Sequence, residues 1–202
     1  MDTAIDKREA RKIRAEDMRT NKRKAAKPLL YIGIVSIVML FAALTSAYIV
    51  RADSGNWLVF KLPPITILST GVIVASSVTM FIAQRAIKKD EYKTTTLGLL
   101  LTFALGVVFL MTQLAAWNQL VAKGIYFAGK YSNASGSFLY LIAFMHVLHM
   151  AGGFVALFVS LFKTIKKRYS SADYLGLELT ATYWHFLDIL WVYLFLFLYN
   201  YR

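Results

Sequence analysis

The sequence predicts an all-α, polytopic membrane protein: a bundle of five transmembrane helices with its N-terminus cytoplasmic and its C-terminus periplasmic. Three observations carry this prediction. The 202 residues are 58% hydrophobic with a mean hydropathy of +0.53, more apolar than soluble domains of similar size. Five stretches, about 29–50, 64–84, 95–121, 137–162 and 177–199, are apolar over the roughly 20 residues that a helix needs to cross a bilayer. Basic residues concentrate in alternate connecting segments, which is the pattern that sets orientation. None of the stretches alternates polar and apolar residues as a spanning strand would.

The first 27 residues, "MDTAIDKREARKIRAEDMRTNKRKAAK", form a basic tail with ten Lys/Arg and five Asp/Glu. It has no short apolar core of the kind a cleavable signal carries, and its acidic residues do not fit a transit peptide. Charges four apart favour a helix near the membrane surface only weakly, and a solvated tail is an equal expectation. Residues 28–202 then form the membrane domain.

The first helix, "LLYIGIVSIVMLFAALTSAYIV", has no charge and places Gly33, Ser36, Ala43 and Ala47 on one face, where small side chains permit close helix approach. Pro63 and Pro64 suit the entry to the second helix. That helix carries Ser69, Ser76, Ser77 and Thr79, which can bond across helices or back to their own carbonyls. Thr94 to Thr96 can cap the third helix. The outer loop 122–136 holds Tyr126, Phe127 and Tyr131 as interfacial aromatics, and Asn133-Ala-Ser matches a glycosylation pattern to which little weight attaches. Gly152 and Gly153 predict another close crossing on the fourth helix.

Charge gives the orientation. Arg85, Lys88, Lys89 and Lys93 follow the second span, and Lys163, Lys166, Lys167 and Arg168 follow the fourth. The other two loops hold only Arg51 with Lys61, and Lys123 with Lys130. The basic segments belong on the cytoplasmic side. The net charge of +12 is thus a topology signal that also attracts anionic headgroups, and no nucleic-acid partner is expected.

Chemistry is limited by supply. Cysteine is absent, which excludes thiolate metal sites, disulfides and Cys nucleophiles. The histidines are His146, His149 and His185. His146 and His149 share one face of the fourth helix. Glu178, His185 and Asp188 share a face of about 80° on the fifth, from the 3.6-residue period. Gln113 lies in the third helix, with Trp117 one turn on. A charged group at the bilayer centre costs about 2.5–3.5 kcal/mol on insertion scales, so these side chains face the bundle interior or a partner. Pairing the fourth helix with the fifth would satisfy most of them.

Four readings of these residues stand open: a bis-histidine haem, a carboxylate–histidine metal site, a proton path, and a buried polar network that fixes packing and can hold lipid or a partner. One haem needs ligands from opposite sides, which two histidines on one face do not offer. A di-iron bundle needs several Glu and Glu-x-x-His pairs, and the spans hold one glutamate. A proton path needs polar groups on both sides of the membrane. The residues favour the network, and no catalytic or metal-ligating residue is assigned.

One pattern goes further. "ELTATYWHFLDILWVYLFLFLY" resembles the C-terminal helix of subunit III of haem–copper oxidases, through Glu178, Tyr183, Trp184, His185, Phe186, Asp188 and Trp191. "FMHVLHMAGG" is similar to that family's histidine–glycine motif through His146, His149 and Gly153, and Gln113 matches a family glutamine. The resemblance covers nearly all of residues 29–202 and looks like the short form of the family, with five helices in place of seven. It implies a subunit, without haem or copper of its own, of a terminal oxidase in a bacterial inner membrane. The complex would reduce oxygen to water and pump protons. It implies subunits I and II as partners and as holders of haem and copper, with bound phospholipid. The implied role is to pack beside subunit I and sustain proton uptake. Cytochrome c and quinol stay open as donors, as does membership of a larger respiratory assembly. A small proton-coupled transporter is the remote alternative. Ile37 and Ala116 stand where the family often carries glutamates, so a role resting on those carboxylates does not transfer.

Overall fold

The computed structural model describes the backbone of residues 2–53, 55, 57–58, 62–129, 132–171 and 173–201. It describes the side chains in those ranges apart from 2–13, 15, 18–19 and 22–23. Lys61, Lys130 and Tyr131 lie outside the described set, as do the side chains of Glu9 and Lys12, one of the charge pairs that would support a helical tail. Among the described residues five helices follow in order: α1 (Asp2–Asp53), α2 (Ile65–Ile87), α3 (Tyr92–Ala122), α4 (Ala134–Ile165) and α5 (Leu175–Asn200). Among the described residues there is no strand, only an isolated bridge between Ser170 and Asp173. Each helix contains a segment long and apolar enough to span a membrane, beginning at Lys24 in α1. The protein is a multi-pass, all-helical membrane protein.

The chain divides into two compact units, residues 1–38 and 39–202. The first is helical from Asp2 and continues through Pro28, which withholds one backbone donor from the ladder. Its apolar side chains Leu29, Ile32 and Val35 are exposed. Gly33 and Ser36 are exposed too.

The second unit contains the bundle. Within it α1 buries Phe41, Thr45 and Tyr48, one helical face at i, i+4 and i+7. Ala43 and Ala47 stay exposed. The small-residue face expected to make close contact is therefore not the face α1 buries, because the bulky rings of Phe41 and Tyr48 do the filling.

The most extensive packing joins α2 to α3. A Cβ at Gly98 would lie 2.9 Å from the Cβ of Ala83 and 3.1 Å from the carbonyl oxygen of Thr79. The α2 and α3 backbones therefore approach as closely as glycine allows. At Gly106 side chains close in instead: a Cβ would lie 2.8 Å from the Phe154 ring and 3.0 Å from the Trp184 ring. Gly153 fits against Leu187 and Trp184, where a Cβ would sit 3.1 Å from Leu187, so the close crossing expected there is present. Around these contacts Ile73, Met80, Leu99, Phe109, Met150 and Trp184 form the dry core.

Helix ends explain several sequence signals. Pro64 occupies the cap of α2, and Thr66 bonds back to the Pro63 carbonyl through both N–H and hydroxyl. Glu91, not a threonine of 94–96, precedes the first turn of α3. Thr95 instead turns inward and donates to the Glu91 carbonyl. Asn133 caps α4, its Oδ1 accepting the amide and hydroxyl of Ser135 at 3.0 Å each. That gives the Asn-Ala-Ser triplet a structural role. At the end of α3, Gly124 has φ +77° and the Ile125 amide returns to the Leu120 carbonyl at 3.0 Å, a left-handed termination that favours glycine.

Candidate functional site

Each hydroxyl-bearing turn of α2 has two jobs. In a helix, Ser and Thr can donate to the carbonyl three or four residues earlier, which leaves the hydroxyl oxygen free to accept. Ser69 donates to the Thr66 carbonyl at 2.8 Å and accepts from Gln113 Nε2 at 2.8 Å. Ser76 donates to the Ile73 carbonyl at 2.8 Å and accepts from Trp184 Nε1 at 3.1 Å. Thr70 donates to the Thr66 carbonyl at 2.9 Å and accepts from Trp191 Nε1 at 3.2 Å. Thr79 donates to the Ser76 carbonyl and meets the Thr102 hydroxyl, each at 2.8 Å. Ser77 Oγ meets His185 Nδ1 at 2.6 Å.

The two indoles are seven apart on α5, about two turns, and their acceptors Ser76 and Thr70 are six apart on α2, so the antiparallel pair meets at two levels. The polar hub of the bundle is α2, in place of the expected pairing of α4 with α5. The physical reason is size: a short hydroxyl that has bonded its own backbone can lie under an indole without leaving a buried donor unmet.

Between α4 and α5 the polar contacts are fewer. Tyr183 donates its hydroxyl to the His149 carbonyl at 3.1 Å, and Ser160 meets Thr180 at 2.8 Å. His149 Nδ1 lies 2.7 Å from the Met145 carbonyl one turn back. His146 is fully buried, and neither ring nitrogen has a hydrogen-bond partner among the described residues. Its surroundings are aromatic: Trp191 at 5.1 Å, Phe109 at 6.2 Å and Phe41 at 6.5 Å between ring centroids.

The face of Glu178, His185 and Asp188 does not act as one cluster. Glu178 sits in the first turn of α5, ten residues or about 15 Å along the axis from Asp188. His185 turns to α2. Asp188 is buried, and neither carboxyl oxygen has a partner among the described residues. No group of three or more His, Asp or Glu could hold a metal ion among the described residues.

Two connecting loops are tied together at the end of the bundle formed by residues 88–91 and by 166–171 with 173–174. Asp90, at φ +57°, accepts the Ser171 amide at 2.7 Å. That hydrogen bonding, from the Ser171 side chain first and its amide second, holds the Asp90 carboxyl below the usual range. Lys167 stands over the Tyr92 ring at 5.9 Å and Lys88 over Tyr174 at 5.9 Å.

A model of the family "Cytochrome c oxidase subunit III" matches residues 21–202, a span that includes Gln113, the three histidines, Glu178 and Asp188. The chain belongs to the cytochrome c oxidase subunit III family. The relatives agree. Cytochrome c oxidase subunit 3 of Rhipicephalus sanguineus is 32% identical over 143 residues, 69% of this chain and 51% of that protein. The subunit 3 of Cyprinus carpio is 32% identical over the same length, covering 69% and 50%. That of Equus caballus is 28% identical over 138 residues, covering 67% and 49%. The chain spans about half the length of the curated relatives it matches. Membership in the subunit III family was legible in the tryptophan–histidine–aspartate motif of α5. The hydrogen-bond partners of that motif were only partly so. Ser69, Ser76, Ser77 and Thr79 stood out as hydroxyls, while Thr70, Gly98 and Gly106 gave no signal strong enough to single them out.

Proposed function

We propose that the chain is the non-redox subunit III of a respiratory haem–copper oxidase, a cytochrome c oxidase that reduces oxygen to water and pumps protons. Haem and copper belong to its partner subunits I and II, and this chain packs beside subunit I, holds phospholipid and sustains proton uptake. The observation that carries the reading is the family match over residues 21–202.

The polar ladder supports the supporting role. Ser69, Thr70 and Ser76 of α2 each donate to a carbonyl of their own helix and accept an N–H from α3 or α5, and Ser77 pairs with a ring nitrogen of His185. Such paired groups lock helices in one register and do not offer a chain of exchangeable protons across the bilayer. The basic loops support a cytoplasmic N-terminus and a periplasmic C-terminus.

Affinity purification of the tagged full chain from gently solubilised membranes tests the proposal. The expected result is co-purification of oxygen-reducing activity, haem and copper, with the metals assigned to other polypeptides. Recovery of the chain without any haem, under conditions that keep membrane complexes intact, overturns it.

A further inference from the structure

A cleft of about 460 Å³ opens between α2 and α5. Its walls are Val74, Ile189, Val192 and Leu196, and its polar lining comes from Ser77, Tyr193 and Asp188. Two of those polar groups are engaged. Ser77 Oγ is 2.6 Å from His185 Nδ1, and the Tyr193 hydroxyl lies 3.3 Å from Thr45 Oγ1. The Asp188 carboxyl is the remaining one: its residue is 3% exposed, the neighbouring Ser77 hydroxyl that acts on it is already shared with His185, and neither oxygen has a well-formed hydrogen bond among the described residues. A buried acceptor left unmet in a membrane interior is costly.

We propose that this cleft seats a transmembrane helix of a partner membrane protein, which presents an uncharged hydrogen-bond donor, a hydroxyl or an amide, to Asp188. Depth decides the class of occupant. Asp188 stands midway along the 26 residues of α5, about 20 Å from either end at 1.5 Å per residue. A lipid headgroup at the membrane surface does not reach that level, and an acyl chain brings no donor. A helix side chain does both. A cation on the incoming helix would itself cost about 2.5–3.5 kcal/mol at that depth, whereas a hydroxyl or amide is common at helix–helix contacts in membranes. Exposed Ile189 at 70%, Leu196 at 50% and Val74 at 47% supply the apolar surface around the donor.

The inference deepens the reading of the chain as one subunit of a membrane complex, and the two can fail separately. The chain contains no cysteine, so Ile189→Cys on the cleft wall and Val155→Cys on α4, 66% exposed, each offer a single thiol for a photoactivatable cross-linker in native membranes. The expected outcome is an Ile189→Cys adduct whose cross-linked peptide lies in a transmembrane segment of another protein, at several-fold the Val155→Cys yield. Adding Asp188→Leu lowers that yield several-fold. Adding Asp188→Asn, which keeps an acceptor of the same shape, does not. If Asp188→Leu does not accumulate, the comparisons of Asp188→Asn with Asp188 and of position 189 with position 155 still decide.

Adducts to lipid alone, adducts to a second copy of this chain alone, yields indifferent to Asp188→Leu, or equal losses in the Leu and Asn variants overturn the proposal. Haem co-purification with a lipid-only adduct leaves the oxidase reading standing and removes this one. A partner-helix adduct without haem does the reverse.

Discussion

Trp184 donates its indole N–H to Ser76 Oγ at 3.1 Å, and the same oxygen donates to the Ile73 carbonyl at 2.8 Å. One hydroxyl thus closes its own helix and anchors the neighbouring one. Ser76→Ala leaves the buried indole donor unmet, a loss of about 1–3 kcal/mol. Trp184→Phe in the Ser76→Ala background removes the orphan and recovers part of that loss. A double-mutant cycle on unfolding of the full chain in bicelles checks this, with a coupling of about 0.6 kcal/mol expected from membrane-protein cycles. Additive single effects would show that the bond contributes nothing.

Gly98→Ala is expected to destabilise the α2–α3 pair by about 1–3 kcal/mol, the usual cost of forced overpacking. The new Cβ would lie 2.9 Å from the Cβ of Ala83 and 3.1 Å from a backbone oxygen. Ala83→Gly in the same chain relieves the first clash and leaves the second, so rescue should be partial. Thermal unfolding midpoints of the three variants measure both effects.

His146 and His185 should respond in opposite directions to an apolar replacement. His146 sits among aromatic rings with neither nitrogen bonded among the described residues. Replacing an unpaired polar ring with an apolar one of similar shape is close to neutral or stabilising. His146→Phe should therefore hold or raise the unfolding midpoint. His185→Leu removes the partner of Ser77 and should lower it. A marked loss with His146→Phe would mean that its nitrogens are satisfied in the membrane.

The Asp90–Ser171 tie predicts a pH dependence. The folded carboxyl is held below its ordinary value of 3.8. Its contribution is therefore fully present above that ordinary value and is lost as pH falls through the lowered folded one. Protection of the Ser171 amide, corrected for intrinsic exchange, should be flat from neutral pH down to about 5 and fall only below the ordinary carboxylate range. Asp90→Asn keeps an acceptor, tolerates the left-handed backbone and should remove the acid limb. Asp90→Ala should abolish the protection at every pH.

The number and type of helices followed from composition alone, because a bilayer interior admits few ways to satisfy a backbone, and a helix does it within one segment. Five apolar stretches meant five helices before any contact was known. The α5 motif likewise marked the family, since tryptophan, histidine and aspartate in fixed order within an apolar run are rare and each is expensive there. The entry prolines of α2 and the crossing at Gly153 were readable for the same local reason.

Partnerships were not local. Glu178, His185 and Asp188 share a helical face in sequence. In three dimensions His185 meets Ser77, Asp188 lines a lateral cleft and Glu178 lies in the first turn of α5. Thr70 and Gly98 are ordinary residues until α5 and α3 arrive beside them. How many helices form and which residues are too polar to face lipid could be read along the chain, since both rest on transfer energy and period within one segment, and the α5 motif carried the family. That α2 is the polar hub, that His146 is enclosed by aromatics and that Asp188 faces a cleft came from the packing of the helices. Those outcomes depend on which helix lies opposite, and a helical period cannot specify its neighbour.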